Sequence, residues 1–248
     1  MLLLRFACLV FAALMPLAGA AQEITVSAAA SLTNVFKELA QRFEANTPGA
    51  TVRLNVGASG ALYQQISQGA PADVFASADR VTMDRAAKEA LIVAGSRVDF
   101  ASNSLVLIEP LHGGVAIRSV QDLVRPEVKR IAIGKPATVP AGRYTRQALE
   151  SAALWDNLGP RFVQADSVRQ VLDYVGRGEV EAGFVYATDA AAMKDRVKVV
   201  ATVSGHEPVS YPIAVVAASG RRELAGRFVS FLSSATAREI LARHGFGT

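Results

Sequence analysis

The sequence alternates short apolar strands with amphipathic helices, and the alternation breaks off once and then starts again. Residues 23–27 read as a strand. Residues 32–43 read as a helix, with Leu32, Val35, Phe36, Leu39 and Phe43 recurring at helical spacing. Residues 51–56 alternate like a strand, a helix begins over 61–66, and a third strand and helix follow at 73–77 and 81–90. Strand–helix repetition of this kind predicts a mostly parallel sheet covered by helices. A polar stretch at 101–103 then precedes an apolar one at 104–110, and the alternation restarts. Strands are expected at 130–134, 162–165, 182–186, 197–203 and 211–217, helices at 142–152 and 168–176, and two more helices within 221–244. Two successive cores predict two α/β domains: a first lobe from 21–100, a second from 101–205, and a return crossing with the rest of the first lobe over 206–248. The long strands near 98–108 and 206–216 are the candidate crossings. Two crossings make a hinge and leave a cleft, and ligands of α/β sheets lie beyond the carboxyl ends of strands, at helix N-termini.

Residues 1–20 stand outside this pattern. Arg5 gives a basic start, 6–17 form an apolar run, and Ala18, Gly19 and Ala20 are the small residues of a cleavage site. The run is too short to span a bilayer, which takes about 20 residues. A secretory leader cut near Ala20 is expected, the alternative being a buried N-terminal strand. Cys8 is the only cysteine, too early in the run for lipid attachment. Cleavage leaves no thiol for disulfides or metal sites, which suits an oxidising compartment. The formal net charge is +4, one less without Arg5. No run of five or six Lys/Arg occurs, which argues against nucleic acid and leaves a weak long-range attraction for anions.

The chemistry gathers at four strand-to-helix junctions, residues 28–34 (AAASLTN), 56–61 (VGASGA), 138–142 (TVPAG) and 166–169 (DSVR), all built from small or hydroxyl residues at their centres. A helix N-terminus offers unpaired N–H groups and about half a positive charge. Small residues let an anion approach those groups, and serine adds a hydroxyl. Four such junctions on one cleft bind a dianion without Lys or Arg. Taken singly, Ser31, Ser59 and Ser167 are equally well read as helix caps.

The stretches ITVSAAASLTNVF, GAPADVFASAD, NSLVLIEP, VPAGRYTRQAL, GFVYATDAA, YPIAVV and RHGF together resemble the periplasmic molybdate-binding proteins of bacterial ABC importers, over nearly the whole span from Ile24 to Phe246. APADVF alone is shared with wider solute-binding relatives. The resemblance implies a type II-like periplasmic-binding-protein fold, two α/β lobes joined by a two-crossing hinge. It also implies a non-enzymatic periplasmic monomer without cofactor that captures molybdate, and by the same chemistry tungstate, for an inner-membrane ABC permease. Carried over residue by residue, Ser31 and Ser59 give hydroxyl and backbone donors, Ala141 and Val168 backbone N–H groups, and Tyr186 its hydroxyl. The metal is held as its oxyanion through these hydrogen bonds, without direct coordination. The second junction departs from the pattern: GASGA lacks the serine run of some members.

Other classes stay open on sequence. Residues 57–61 nearly read G-x-S-x-G, with Ala61 in place of the last glycine, and a serine hydrolase on Ser59 needs His206 or His244 as base. No HxxxH pair, Cys cluster or G-x-G-x-x-G motif occurs. A sensor adaptor on the same fold would bind alike. Sulfate is a smaller dianion of the same shape. Phosphate carries a proton that needs an acceptor, for which Asp166 and Asp189 are the nearby acids.

Overall fold

The computed structural model describes residues 22–248; the leader, its cleavage near Ala20 and Cys8 lie outside them. The described residues hold ten strands: β1 (Gln22–Ala29), β2 (Ala50–Gly57), β3 (Val74–Ala76), β4 (Val98–Asn103), β5 (Leu105–Pro110), β6 (Ile131–Gly134), β7 (Phe162–Ala165), β8 (Ala182–Tyr186), β9 (Val197–Thr202) and β10 (Val209–Val215). The helices are α1 (Thr33–Ala45), α2 (Ser59–Ser67), α3 (Arg80–Lys88), α4 (Pro140–Ser151), α5 (Trp155–Leu158), α6 (Val168–Gly176), α7 (Ala187–Ala191), α8 (Arg222–Phe231) and α9 (Ala235–Arg243). None of them is long and apolar enough to cross a membrane.

The strands form two five-stranded sheets, ordered β2-β1-β3-β10-β4 and β7-β6-β8-β5-β9. This is the expected α/β architecture with two lobes. Strands returning through a helix pair in parallel, as β1 does with β2 and β3, and β6 with β7 and β8. The strands that follow a crossing, β5 and β10, run antiparallel to both neighbours. They enter their sheets directly from the other lobe, with no helical crossover to turn them.

The first crossing is one residue, Ser104, between β4 and β5. It falls a little beyond the expected boundary at 100. Ala101–Asn103 still pair with Tyr211, Ser210 and Val209 of β10, and an edge strand tolerates the polar side chains that read as a break. The second crossing is 203–208; β10 itself lies wholly in the first sheet. The two crossings touch where Val203 N donates to Leu105 O at 2.9 Å.

The helices cover the sheets with the faces their spacing dictates. α1 buries Val35, Phe36, Leu39, Ala40 and Phe43, and the Phe36 and Phe43 rings meet Phe228 of α8 at 6.2 and 5.2 Å. α6 buries Val168, Val171, Leu172 and Val175. α4 begins hard against the end of β6. A Cβ on Gly142 would stand 2.0 Å from Gly134 O, so only glycine lets this helix start there. That close approach fixes where the first turn of α4, with Ala141, points.

Candidate functional site

A small cavity of about 10 Å³ lies between the lobes. Its small size points to a ligand of a few heavy atoms. Its wall brings together all five residues singled out from the sequence. Ser31 follows β1 and Ser59 follows β2, on the first lobe; Ala141 opens α4, Val168 opens α6 and Tyr186 ends β8, on the second. No residue of the lining is Lys, Arg, His, Asp or Glu. Small residues (Ala29, Ala30, Gly57, Ala58 and Ala78) make up much of the rest, so main chain stands close to the cavity.

Ser31 and Ser59 are not acting as caps. No side-chain capping bond is made at the N-terminus of α1 or of the short 3-10 turn Ala30–Leu32 before it, nor at that of α2. Ser167 does cap α6, accepting from Gln170 N at 3.2 Å. Ser59 Oγ accepts the Ala78 N–H at 3.0 Å. An oxygen already accepting from an amide keeps its own proton to give elsewhere. Ser31 Oγ lies 3.2 Å from the Tyr211 hydroxyl, which itself accepts from Asn103 Nδ2 at 3.2 Å. Tyr211, with one proton and two lone pairs, thus links the Asn103 amide to the Ser31 hydroxyl and fixes where Ser31 Oγ sits. Asn103 is held in turn by Thr188 Oγ1 at 2.9 Å. Tyr211 and Asn103 were not nominated from sequence. The one signal was a tyrosine in an otherwise apolar strand, and a polar residue at a crossing.

Tyr186 is buried, and its hydroxyl makes only a long contact to Ala78 O, 3.5 Å. Burial raises its pKa well above the ordinary value, with the neighbouring Tyr211 adding to the effect, so the phenol stays protonated. Behind it, Asp189 is fully buried. Burial lifts its pKa to about 6, against the pull of the Arg169 guanidinium and the Tyr186 N–H; Arg169 Nε stands 2.8 Å away. Asp166 faces outward to Lys135. Neither acid lines the cavity, so no carboxylate is positioned to accept the proton of a phosphate.

The histidines are elsewhere. The His206 ring meets Val203 O at 3.1 Å and Glu207 O at 2.6 Å, His244 meets Glu38 at 2.8 Å, and His112 is exposed. The lining therefore supplies no histidine base for Ser59. What the arrangement can do is donate hydrogen bonds from both sides to one small acceptor.

The family model for bacterial extracellular solute-binding proteins matches residues 24–247. The chain is similar to the molybdate-binding protein ModA of Escherichia coli, 39% identical over 236 residues covering 90% of this chain and 88% of that one. It is 37% identical to the molybdate-binding protein ModA of Mycobacterium bovis over 227 residues, covering 91% and 85%. Among solved structures, the periplasmic molybdate-binding protein of Azotobacter vinelandii superposes with a TM-score of 0.79 at 27% identity, covering 91% of this chain and 99% of that one.

Proposed function

This chain belongs to the bacterial extracellular solute-binding proteins, and we propose that within that family it captures molybdate in the periplasm and delivers it to an ABC importer. The observation that carries this is the small cavity between the lobes, lined by Ser31, Ser59, Ala141, Val168 and Tyr186 and by no charged side chain. It holds the anion through hydroxyl and backbone donors, without metal coordination, cofactor or covalent chemistry. The first turns of α4 and α6 supply N–H groups and the positive ends of helix dipoles. Tungstate has the same charge and nearly the same size, so the same donors serve it. Sulfate, with shorter bonds to oxygen, leaves those hydrogen bonds stretched in a fixed cage. The partner is an inner-membrane permease, and the binding protein works as a monomer.

Calorimetric competition on the chain from Ala21 onward tests this. Molybdate and tungstate are expected to bind and displace each other, with sulfate far weaker and phosphate silent. Sulfate binding as tightly as molybdate would overturn the choice of ligand, and no binding of any of the four would overturn the oxyanion reading. Export is read separately, by N-terminal sequencing of the periplasmic protein. The proposal expects a start at Ala21 or within a residue or two; an intact Met1 in that fraction contradicts it.

A further inference from the structure

Besides the Asn103–Thr188 hydrogen bond near the crossings, two contacts join the lobes without forming part of the cavity wall. One is a main-chain hydrogen bond, from Gly60 N at the start of α2 to Thr138 O at 2.9 Å. The other centres on Arg143, two residues past Ala141 on α4. Its Nε donates to Asp79 Oδ2 at 2.7 Å, its Nη2 reaches the same oxygen, and Nη2 also reaches Thr82 Oγ1 at 2.7 Å. Its Nη1 turns back to the Pro136 and Ala137 carbonyls of its own lobe, at 3.2 and 3.3 Å. The guanidinium thus ties the entry of α4 to the entry of α3.

We propose that Arg143 is an interlobe latch: it holds the first turn of α4, and with it the Ala141 N–H, against the first lobe, and so sets how long a bound anion is retained. The part about the anion rests on the oxyanion reading; the latch itself does not.

Asp79 is a fixed anchor. Its Oδ1 caps α3, accepting from Thr82 N at 3.1 Å and from the Ser77 hydroxyl at 3.2 Å, so its carboxylate stays in place whether or not Arg143 is there. Its side chain is 3% exposed and that of Arg143 21%. Exposed ion pairs contribute little, but here one partner is buried, and the planar guanidinium holds Asp79 Oδ2 with two nitrogens while reaching Thr82 Oγ1, which an ammonium does not reproduce. Opening the cleft breaks the Arg143 bonds to Asp79 and Thr82 together and returns both groups to water.

Arg143 has a second effect on the site. Asp79 follows Ala78, a residue of the cavity wall, and its charge is among those that raise the Tyr186 hydroxyl. Without the guanidinium, an uncompensated carboxylate stands one residue from the cavity wall, and its charge opposes a bound dianion. Both effects act in the same direction, towards faster release.

The test is Arg143→Met, which keeps the aliphatic stem, measured in two ways. Small-angle scattering of the ligand-free protein is expected to show a larger radius of gyration than wild type. Stopped-flow dissociation of molybdate is expected to be faster by ~10-fold or more, the usual scale for truncating one member of a buried charge pair. Arg143→Lys keeps the charge and loses the fork, and is expected to fall between the two; it also serves if the methionine variant fails to fold. A wild-type radius of gyration, or a wild-type dissociation rate, overturns the latch. A wild-type protein that does not bind molybdate overturns the oxyanion reading, and the scattering comparison then decides the latch alone.

Discussion

Gly60→Ala is expected to lower molybdate affinity by roughly two to four orders of magnitude while leaving both lobes of the ligand-free protein folded. A Cβ at this position would stand 2.6 Å from Thr138 O and 2.7 Å from Thr138 Cα. Both are main-chain atoms of the opposite lobe, and no flexible side chain can give way. The lobes must separate by a large fraction of an ångström before the methyl fits. The five candidate donors are divided between the lobes, so the separation lengthens the hydrogen bonds from one side or the other. Bonds beyond about 3.5 Å no longer count. Hydrogen bonds to a charged acceptor contribute about 1.5–3 kcal/mol each. Losing two amounts to about 3–6 kcal/mol, and every ~1.4 kcal/mol is tenfold in dissociation constant. The fold of each lobe should not suffer, because Gly60 lies in the first turn of α2, where alanine is at least as good a helix former as glycine. Calorimetric titration with molybdate, beside thermal melting of both ligand-free proteins, separates the two effects. Wild-type affinity in a well-folded Gly60→Ala protein would mean that the bound form does not bring α2 against Thr138.

That prediction rests on a contact no local pattern reveals, and it marks where sequence reading stops. The elements themselves were legible. Leu32, Val35, Phe36, Leu39 and Phe43 recur as an apolar face, and they are buried. The small-residue junctions were legible too, because an anion site made of main chain must clear side chains away from it. The structure gathers Ser31, Ser59, Ala141, Val168 and Tyr186 on one cavity. Ala141 and Val168 entered only through the resemblance to a family, since a backbone donor leaves no mark in side-chain chemistry.

What stayed hidden depends on the order of strands. Tyr211 reaches Ser31 across 180 residues of sequence because β10 inserts between β3 and β4. Nothing in the apolar run around Tyr211 indicates which sheet receives it. The antiparallel direction of β5 and β10 was hidden for the same reason, since it follows from how the crossings enter each lobe. Nothing in the sequence singles out Arg143 or Asp79. Asp79 caps α3, and only the closure of one lobe on the other gives its second oxygen a partner. Ser59 illustrates the opposite case. A serine before a helix suggests a cap or, with flanking glycines, a nucleophile. The Ala78 N–H on its oxygen and the absence of histidine from the cavity wall leave it as a hydrogen-bond donor.

Tyr186→Phe is expected to weaken molybdate binding by roughly 10- to 150-fold with no loss of fold. The hydroxyl is the only group removed. The ring keeps its edge contact with Tyr211, 5.9 Å between centroids, and the backbone N–H of residue 186 keeps its bond to Asp189 Oδ2 at 3.3 Å. Burial holds the hydroxyl protonated, so across the neutral range it can only be a donor or a neutral acceptor. Its single contact within the protein is the 3.5 Å approach to Ala78 O, too long to compete with an anion. Such a donor to a charged acceptor contributes about 1.5–3 kcal/mol, which at ~1.4 kcal/mol per decade gives the range stated. A water entering in place of the hydroxyl would bring the loss towards the lower figure. The variant also leaves the rest of the donor set untouched, since Ser31 is oriented through Tyr211 and Ser59 through Ala78 N. Calorimetric titration with molybdate gives the affinity, and melting of the ligand-free proteins controls for folding. Equal affinities at equal melting temperatures would remove Tyr186 from the site and make it a core aromatic whose hydroxyl serves Ala78 O alone.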